Sequence, residues 1–361
     1  MLTADMDRIM DRIMDRGITL EQTEFPFEHV AIYGAGGRGQ AVARRLLAQG
    51  IRVECFVDSD PRKRGVRIDG LEVLGREELR QRPELPLLIA SYWREDILFE
   101  LREGGFPNEL FWMRLSNSYV PNFLELHGED AQRFHSRLAD EESRLVYASI
   151  IKSVATGNAD YHRVSAYPQY RHPRVLPQAG DVVIDGGAYS GDTAQMFLNV
   201  CGGCHVHAFE PDPAVYAQLE ANLAAQGLSE RVTPHRLGLW ESSTRLSFSL
   251  SDGKGSHITT QGSEARCMVI DTVPLDGFAE QTGARIDFIK LDVEGAEMAA
   301  LRGAAGVIRK FRPKLQVCLY HKALDCVELP LFLLELAQGY SFYVGHHGSG
   351  ETDSVLYAAP D

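Results

Sequence analysis

The first regular alternation of apolar and polar residues has a helical period. Met6, Ile9, Met10, Ile13 and Met14 recur every three or four positions with Asp and Arg between them, which predicts a short amphipathic helix within residues 1–24. Its Met-rich face either packs on its own chain or pairs two protomers into a homo-oligomer. The pattern then changes to short apolar runs. His29–Tyr33 reads as a buried strand, the turn Gly34-Ala35-Gly36-Gly37-Arg38-Gly39 follows, and residues 40–49 carry a helical pattern that Gly50 stops. A second strand, Val53–Val57, ends in Asp58. Strand, glycine turn, helix, strand and acid make a βαβ unit. With further strands at Leu87–Ala90 and Leu110–Trp112, residues 25–117 are expected to form a small Rossmann-like domain.

From 118 to 176 the glycine turns disappear. Phe134, Leu138, Leu145 and Ile150 suggest helices, and the tract Tyr161 to Pro177 is rich in Tyr, His, Pro and Arg. This segment reads as an interdomain helical stretch and linker. The βαβ logic then returns in residues 177–361. The strand Val182–Ile184 runs into Asp185-Gly186-Gly187-Ala188-Tyr189-Ser190-Gly191, and Asp192-Thr193 opens a helix. Gly187 and Gly191 let the backbone turn tightly beside a ligand, and the helix start supplies free N–H groups. The next strand, Val206–Phe209, ends in Glu210, an acid able to accept both hydroxyls of a ribose. A third apolar strand, residues 286–291 with Lys290 embedded, ends at Asp292. Ligands of doubly wound sheets bind outside the carboxyl ends of the strands, so Asp185, Glu210 and Asp292 are expected to face one crevice. Ser341–Gly345 and Ser354–Ala358 predict a terminal antiparallel hairpin. The fold class is therefore α/β, with two doubly wound domains.

Composition narrows this further. A chain of 361 residues with 44% hydrophobic content supports two cores, and a formal net charge of −13 argues against a nucleic-acid partner. No apolar run follows a basic start and none approaches about twenty residues. A cytoplasmic protein without a transmembrane segment is expected. Six cysteines spread over a large chain read as free thiols. Cys201-Gly202-Gly203-Cys204-His205 matches the haem-attachment spacing, but that chemistry requires export, so chance spacing is the reading. No ligand spacing is diagnostic of a metal.

Several ordered motifs of residues 177–361 resemble the FkbM family of methyltransferases. They are Asp185-Gly186-Gly187-Ala188 with Gly191, Phe209-Glu210-Pro211-Asp212-Pro213, Gly238-Leu239-Trp240-Glu241 and Thr272-Val273-Pro274-Leu275-Asp276. The longest is Ile289-Lys290-Leu291-Asp292-Val293-Glu294-Gly295-Ala296-Glu297, followed by Leu301-Arg302-Gly303-Ala304, Arg312-Pro313 and Tyr320-His321. The resemblance implies S-adenosylmethionine as cofactor and a hydroxyl as methyl acceptor. Asp185, Gly187, Ala188, Gly191, Thr193, Glu210 and Asp292 are the candidate cofactor-binding residues. A base that takes the hydroxyl proton is sought among Asp292, Glu294 and His321.

The first glycine turn is more ambiguous. Gly34, Gly36 and Gly39, with Asp58 nineteen residues on, satisfy the dinucleotide fingerprint. The wider stretch, with Gly37, Phe56-Val57-Asp58-Ser59-Asp60-Pro61 and Val73-Leu74-Gly75, is similar to the N-terminal domain of bacterial sugar acyltransferases. That likeness implies a nucleotide or nucleotide-sugar ligand, although Arg38 stands where those proteins commonly have His, and a nicotinamide site or a scaffold that binds nothing stay open. With the methyltransferase resemblance it points to a sugar, glycolipid or natural-product acceptor. Two rival functions stay open: a nicotinamide-dependent oxidoreductase, and a protein that binds these ligands without turnover.

Overall fold

The computed structural model describes residues 17–18, 25–91, 94–113, 120, 123–157, 161–249, 257–258, 267–348 and 352–361. The amphipathic N-terminal helix lies outside the described residues. The chain divides into two compact units, residues 1–121 with 153–160, and residues 122–152 with 161–361.

The first unit comprises β1 (Gly17–Ile18), β2 (His29–Tyr33), α1 (Gly37–Ala48), β3 (Arg52–Val57), β4 (Arg67–Ile68), β5 (Leu71–Leu74), α2 (Arg76–Arg80), β6 (Leu87–Ile89), α3 (Arg94–Glu103) and β7 (Leu110–Met113). Its sheet runs in the order β1-β7-β6-β2-β3-β5-β4, parallel except for the β4–β5 hairpin. Val30, Ile32, Phe56 and Leu88 enter one apolar cluster, whereas Ala31, Tyr33, Val57 and Ile89 enter a second. Alternate residues are thus buried on both faces, which is what a parallel sheet covered on both sides demands. Helix α1 lies so close to the first turn that a Cβ on Gly39 would fall 1.7 Å from the Gly34 carbonyl oxygen.

The second unit opens with α4 (Phe123–His135) and residues 141–152 of α5 (Glu141–Thr156). Its elements continue as β8 (Val182–Gly186), α6 (Asp192–Cys201), β9 (His205–Phe209), α7 (Pro213–Ala225), β10 (Val232–His235), β11 (Gly238–Leu239), β12 (Arg245–Ser249), β13 (His257–Ile258) and β14 (Cys267–Val273). Then come α8 (Leu275–Thr282), β15 (Phe288–Leu291), α9 (Glu297–Gly303), α10 (Ala305–Phe311), β16 (Lys314–Cys318), α11 (Asp325–Leu336), β17 (Tyr340–His346) and β18 (Ser354–Pro360). The main sheet has the order β10-β9-β8-β15-β16-β18-β17, with only β18 antiparallel to its neighbours. The chain winds outward from β8 to β9 and β10, then returns to β15 on the other side. Strands β8 and β15 therefore flank the topological switch point, where such sheets open a ligand crevice. A smaller sheet, β11-β14-β12-β13, was not anticipated.

Two expectations are corrected. Most of residues 118–176 belongs to the second unit rather than to a linker. The Ala139 N–H donates to the Phe342 carbonyl on edge strand β17, Phe134 meets Tyr147 edge to face, and Tyr170 and Val175 are buried in the core beneath β8 and β9. Aromatic residues in an irregular tract can fill a core as well as those on a helix. Second, Cys201 and Cys204 are joined in a disulfide rather than free. Gly202 ends α6 in the left-handed conformation and, with Gly203, turns the chain back so that the two Cα atoms lie 5.9 Å apart. Cys55, Cys318 and Cys326 are free and buried. Among the described residues no helix is long and apolar enough to cross a membrane.

Candidate active site

The site is built around a cation inside the main sheet. Lys290, on β15, is 1% exposed, and its Nζ lies 3.1 Å from Oδ1 of Asp185 on the adjacent strand β8. The ammonium also donates to the Gly186 and Gly187 carbonyls at 3.2 and 2.8 Å. The other Asp185 oxygen accepts from the Thr193 hydroxyl at 2.6 Å, tying the strand to the first turn of α6. Burial disfavours the charge on Lys290, but Asp185 and Asp292 outweigh it and raise the pKa. Asp185 is fully buried, so it and Thr193 shape the turn rather than line the crevice.

The turn itself is fixed by close backbone approach. Gly187 has φ +73°, and a Cβ there would fall 1.8 Å from the Asp292 carbonyl oxygen. The Gly187 and Ala188 N–H groups both donate to the Phe209 carbonyl. Gly191 caps α6 at φ +94°. Glu210, at the end of β9, is nearly buried and accepts the N–H groups of Tyr189 and Asp212 at 3.1 and 3.0 Å. Burial pushes its carboxyl above the ordinary range despite those donors.

Opposite stands Asp292. The Tyr170 hydroxyl donates to its Oδ2 at 2.8 Å and the Tyr320 hydroxyl to its Oδ1 at 2.9 Å. Burial would raise its pKa, but Lys290, His321 and the two hydroxyls hold it below the usual carboxylate range. Burial keeps both tyrosines protonated and so available as donors. His321 follows β16 and sits among three acids: Nδ1 is 2.9 Å from Glu297, and Nε2 is 3.4 Å from Asp292 and 3.6 Å from Glu294. Burial opposes its charge, yet these carboxylates push the imidazole up to about 9. It is therefore a cation at neutral pH, losing its proton only as pH rises through about 9. A cation has no lone pair to accept a proton, which counts against His321 as the base.

Glu294, at φ +52°, keeps a side chain 42% exposed and has its pKa raised by burial against the pull of His321. One crevice brings Gly187, Glu210, Asp292 and Glu294 together, with Phe209 and Leu239 in its apolar wall. Sequence reasoning noted Lys290 within its strand without giving it a role, and missed Tyr170. An ammonium between apolar strand residues was the available signal for the first; none pointed to the second. His346 and His347 are taken up in hydrogen bonds to Ser354 and Tyr357, and the described residues contain no cluster able to hold a metal ion.

In the other unit, a cavity of about 540 Å³ lies over the first glycine turn, with Gly34, Gly36, Gly37, Gly39 and Asp58 in its lining. Arg38, Lys63 and Arg76 also face it. Asp58 already receives the Ala35 N–H, the Asp60 N–H and the Lys63 ammonium, each at 2.9 Å.

Comparison with known proteins bears on the second unit above all. A protein-family model described as Methyltransferase FkbM domain matches residues 185–342. The 2-O-methyltransferase NoeI of Sinorhizobium fredii (strain NBRC 101917 / NGR234) is 25% identical over 156 residues, covering 38% of this chain and 63% of that protein. The match thus spans less than two thirds of that relative. The crystal structure of methyltransferase FkbM from Methylobacillus flagellatus KT superposes with a TM-score of 0.62 at 21% identity, covering 97% of this chain and 92% of that one. That likeness establishes a shared fold.

Replacing Lys290→Met is expected to destabilise the protein by about 3–5 kcal/mol, because it strands a buried carboxylate. Combining it with Asp185→Asn should recover most of the loss. Urea denaturation checks both, and a single variant as stable as the wild type would contradict the pairing.

Proposed function

We propose that this chain, whose residues 185–342 match the FkbM methyltransferase domain, moves a methyl group from S-adenosylmethionine to a hydroxyl of a sugar, glycolipid or natural-product acceptor. The observation that carries this reading is the single crevice at the strand ends, with Glu210 at one side and Asp292 and Glu294 at the other. The residues present fit the donor. Glu210 is held with both oxygens oriented by backbone amides, and so would take the ribose hydroxyls. Pro211, Leu239 and Ile270 offer an apolar wall for the base. The donor, when bound, supplies an electrophilic methyl carbon.

The protein's part is to align the acceptor and remove its proton. Alignment in a water-poor cleft is worth on the order of 7–11 kcal/mol in favourable cases. Glu294 is the best candidate for the proton, since its carboxylate faces the crevice and its pKa is raised. Asp292 is too strongly stabilised as an anion to be an effective base. Its four partners suit it instead to hold a fixed negative charge beside the reacting centre. The named relative NoeI, a 2-O-methyltransferase, supports oxygen as the acceptor atom.

A second ligand is supported by the cavity of the other unit. Gly36 and Gly37 have ordinary backbone angles and open space where a Cβ would lie, so the fold itself does not demand glycine there. With Arg38, Lys63 and Arg76 in the lining, a phosphate-bearing ligand such as a nucleotide or nucleotide-linked sugar fits. The three donors already on Asp58 make a nicotinamide dinucleotide the weaker reading.

Calorimetric titration with S-adenosylhomocysteine should give micromolar binding that Glu210→Ala abolishes, and a folded wild type that binds nothing would overturn the donor assignment. Once an acceptor is in hand, Glu294→Gln should lower kcat about 10²–10⁴-fold with donor binding retained. Uridine diphosphate should bind the wild type and be weakened at least tenfold by Lys63→Ala. Equal binding by both proteins would remove the second site.

A further inference from the structure

We propose that Glu297 is a positioning residue for methyl transfer, holding His321 as a cation wedged between Asp292 and Glu294 and thereby fixing Glu294 at the crevice. The inference rests on the reading of Glu294 as the group that takes the acceptor's proton.

Glu297 begins α9 and is 1% exposed. A carboxylate that only stabilised the start of a helix would do so from the surface, where solvent remains available to it. Here Oε1 accepts the Val293 N–H at 2.9 Å and faces His321 Nδ1 at the same distance. Neither Oε2 nor His321 Nδ1 has a well-aligned hydrogen-bond partner among the described residues, so Glu297 and His321 meet as an ion pair. So buried an anion is costly unless a positive charge compensates it, and the imidazolium is the group beside it.

The geometry also constrains the imidazole. A neutral ring carries one N–H and one lone pair. With Glu297 at Nδ1 and Asp292 and Glu294 at Nε2, either neutral tautomer would aim its lone pair at a carboxylate. Only the doubly protonated ring presents a donor on both sides. The groups facing His321 come from every neighbouring element. Glu297 projects from α9, Asp292 and Glu294 come from the loop after β15, and Asp325 acts from α11. Lys322, next in the chain, turns its ammonium to the Gly295 carbonyl, and the Tyr320 ring lies 4.3 Å from the imidazole. The acids outnumber the cations, and Glu297 is the one in contact with Nδ1. Without it the ring would hold its proton less tightly, and the cation between Asp292 and Glu294 would be lost at a lower pH.

The test is an NMR titration of the His321 ring nitrogens in the full chain, from pH 6 to 10. The wild type should be doubly protonated at pH 7.5, with a midpoint near 9. In Glu297→Gln the midpoint should fall by a unit or more, a tenfold change in proton affinity. Glu297→Asp should lie between the two. A neutral wild-type ring at pH 7.5, or a folded Glu297→Gln protein with an unmoved midpoint, would overturn the proposal. If Glu297→Gln does not fold, the wild type against Glu297→Asp gives the same comparison. The titration reads no methyl transfer, so it can fail while Glu294 stands as the base, and Glu294→Gln can retain kcat while the titration succeeds.

Discussion

An ammonium and a carboxylate share the buried centre of the second sheet, each compensating the other's charge. Lys290 and Asp185 sit on adjacent strands, 3.1 Å apart and almost wholly out of solvent. Removing one partner of such a pair leaves a charge that the interior cannot solvate. The pair also does more than neutralise itself. The same ammonium takes the Gly186 and Gly187 carbonyls, and Asp185 takes the Thr193 hydroxyl. Strand end, turn and helix start are thereby tied to one point. Because Gly187 rests against the Asp292 backbone, the geometry of the first loop is transmitted directly to the second.

From that point outward the charges alternate in sign. Asp185 meets Lys290, which faces Asp292 at 4.0 Å, which faces His321, which is held by Glu297. Each neighbour stabilises the charge of the next, so the series reinforces itself in a low-dielectric setting. Glu294 stands at its edge, half-buried and close to His321. It is the acid of the set whose burial raises its proton affinity while its side chain keeps contact with the crevice. A site that needs fixed negative charge and a proton acceptor can thus draw both from carboxylates two residues apart, because their surroundings differ.

Much of this was legible in the chain because it is local. Strand, glycine turn and acid recur at short spacing, and the strand-end rule brings Glu210 and Asp292 to one crevice. The terminal hairpin followed from two apolar runs around a polar turn. Asp185 was legible as the acid at the end of its strand, but its contacts with Lys290 and Thr193 were not. What escaped was non-local. Tyr170 reaches Asp292 across 122 residues from a tract with no periodicity, and nothing in its neighbourhood distinguishes it from Tyr167. His321 was visible as an ionisable group, but its protonation depends on three acids that only folding assembles. The disulfide between Cys201 and Cys204 depended on the direction of a glycine turn, which spacing alone does not specify.

The central claim is that the crevice between Glu210 and Asp292 is where methyl transfer is organised. A crystal structure of the full chain with S-adenosylhomocysteine tests it most directly. The ribose hydroxyls should lie on the Glu210 carboxylate, with the sulfur turned toward Asp292 and Glu294. Ligand density over the first glycine turn, with the crevice of the second unit empty, would contradict it.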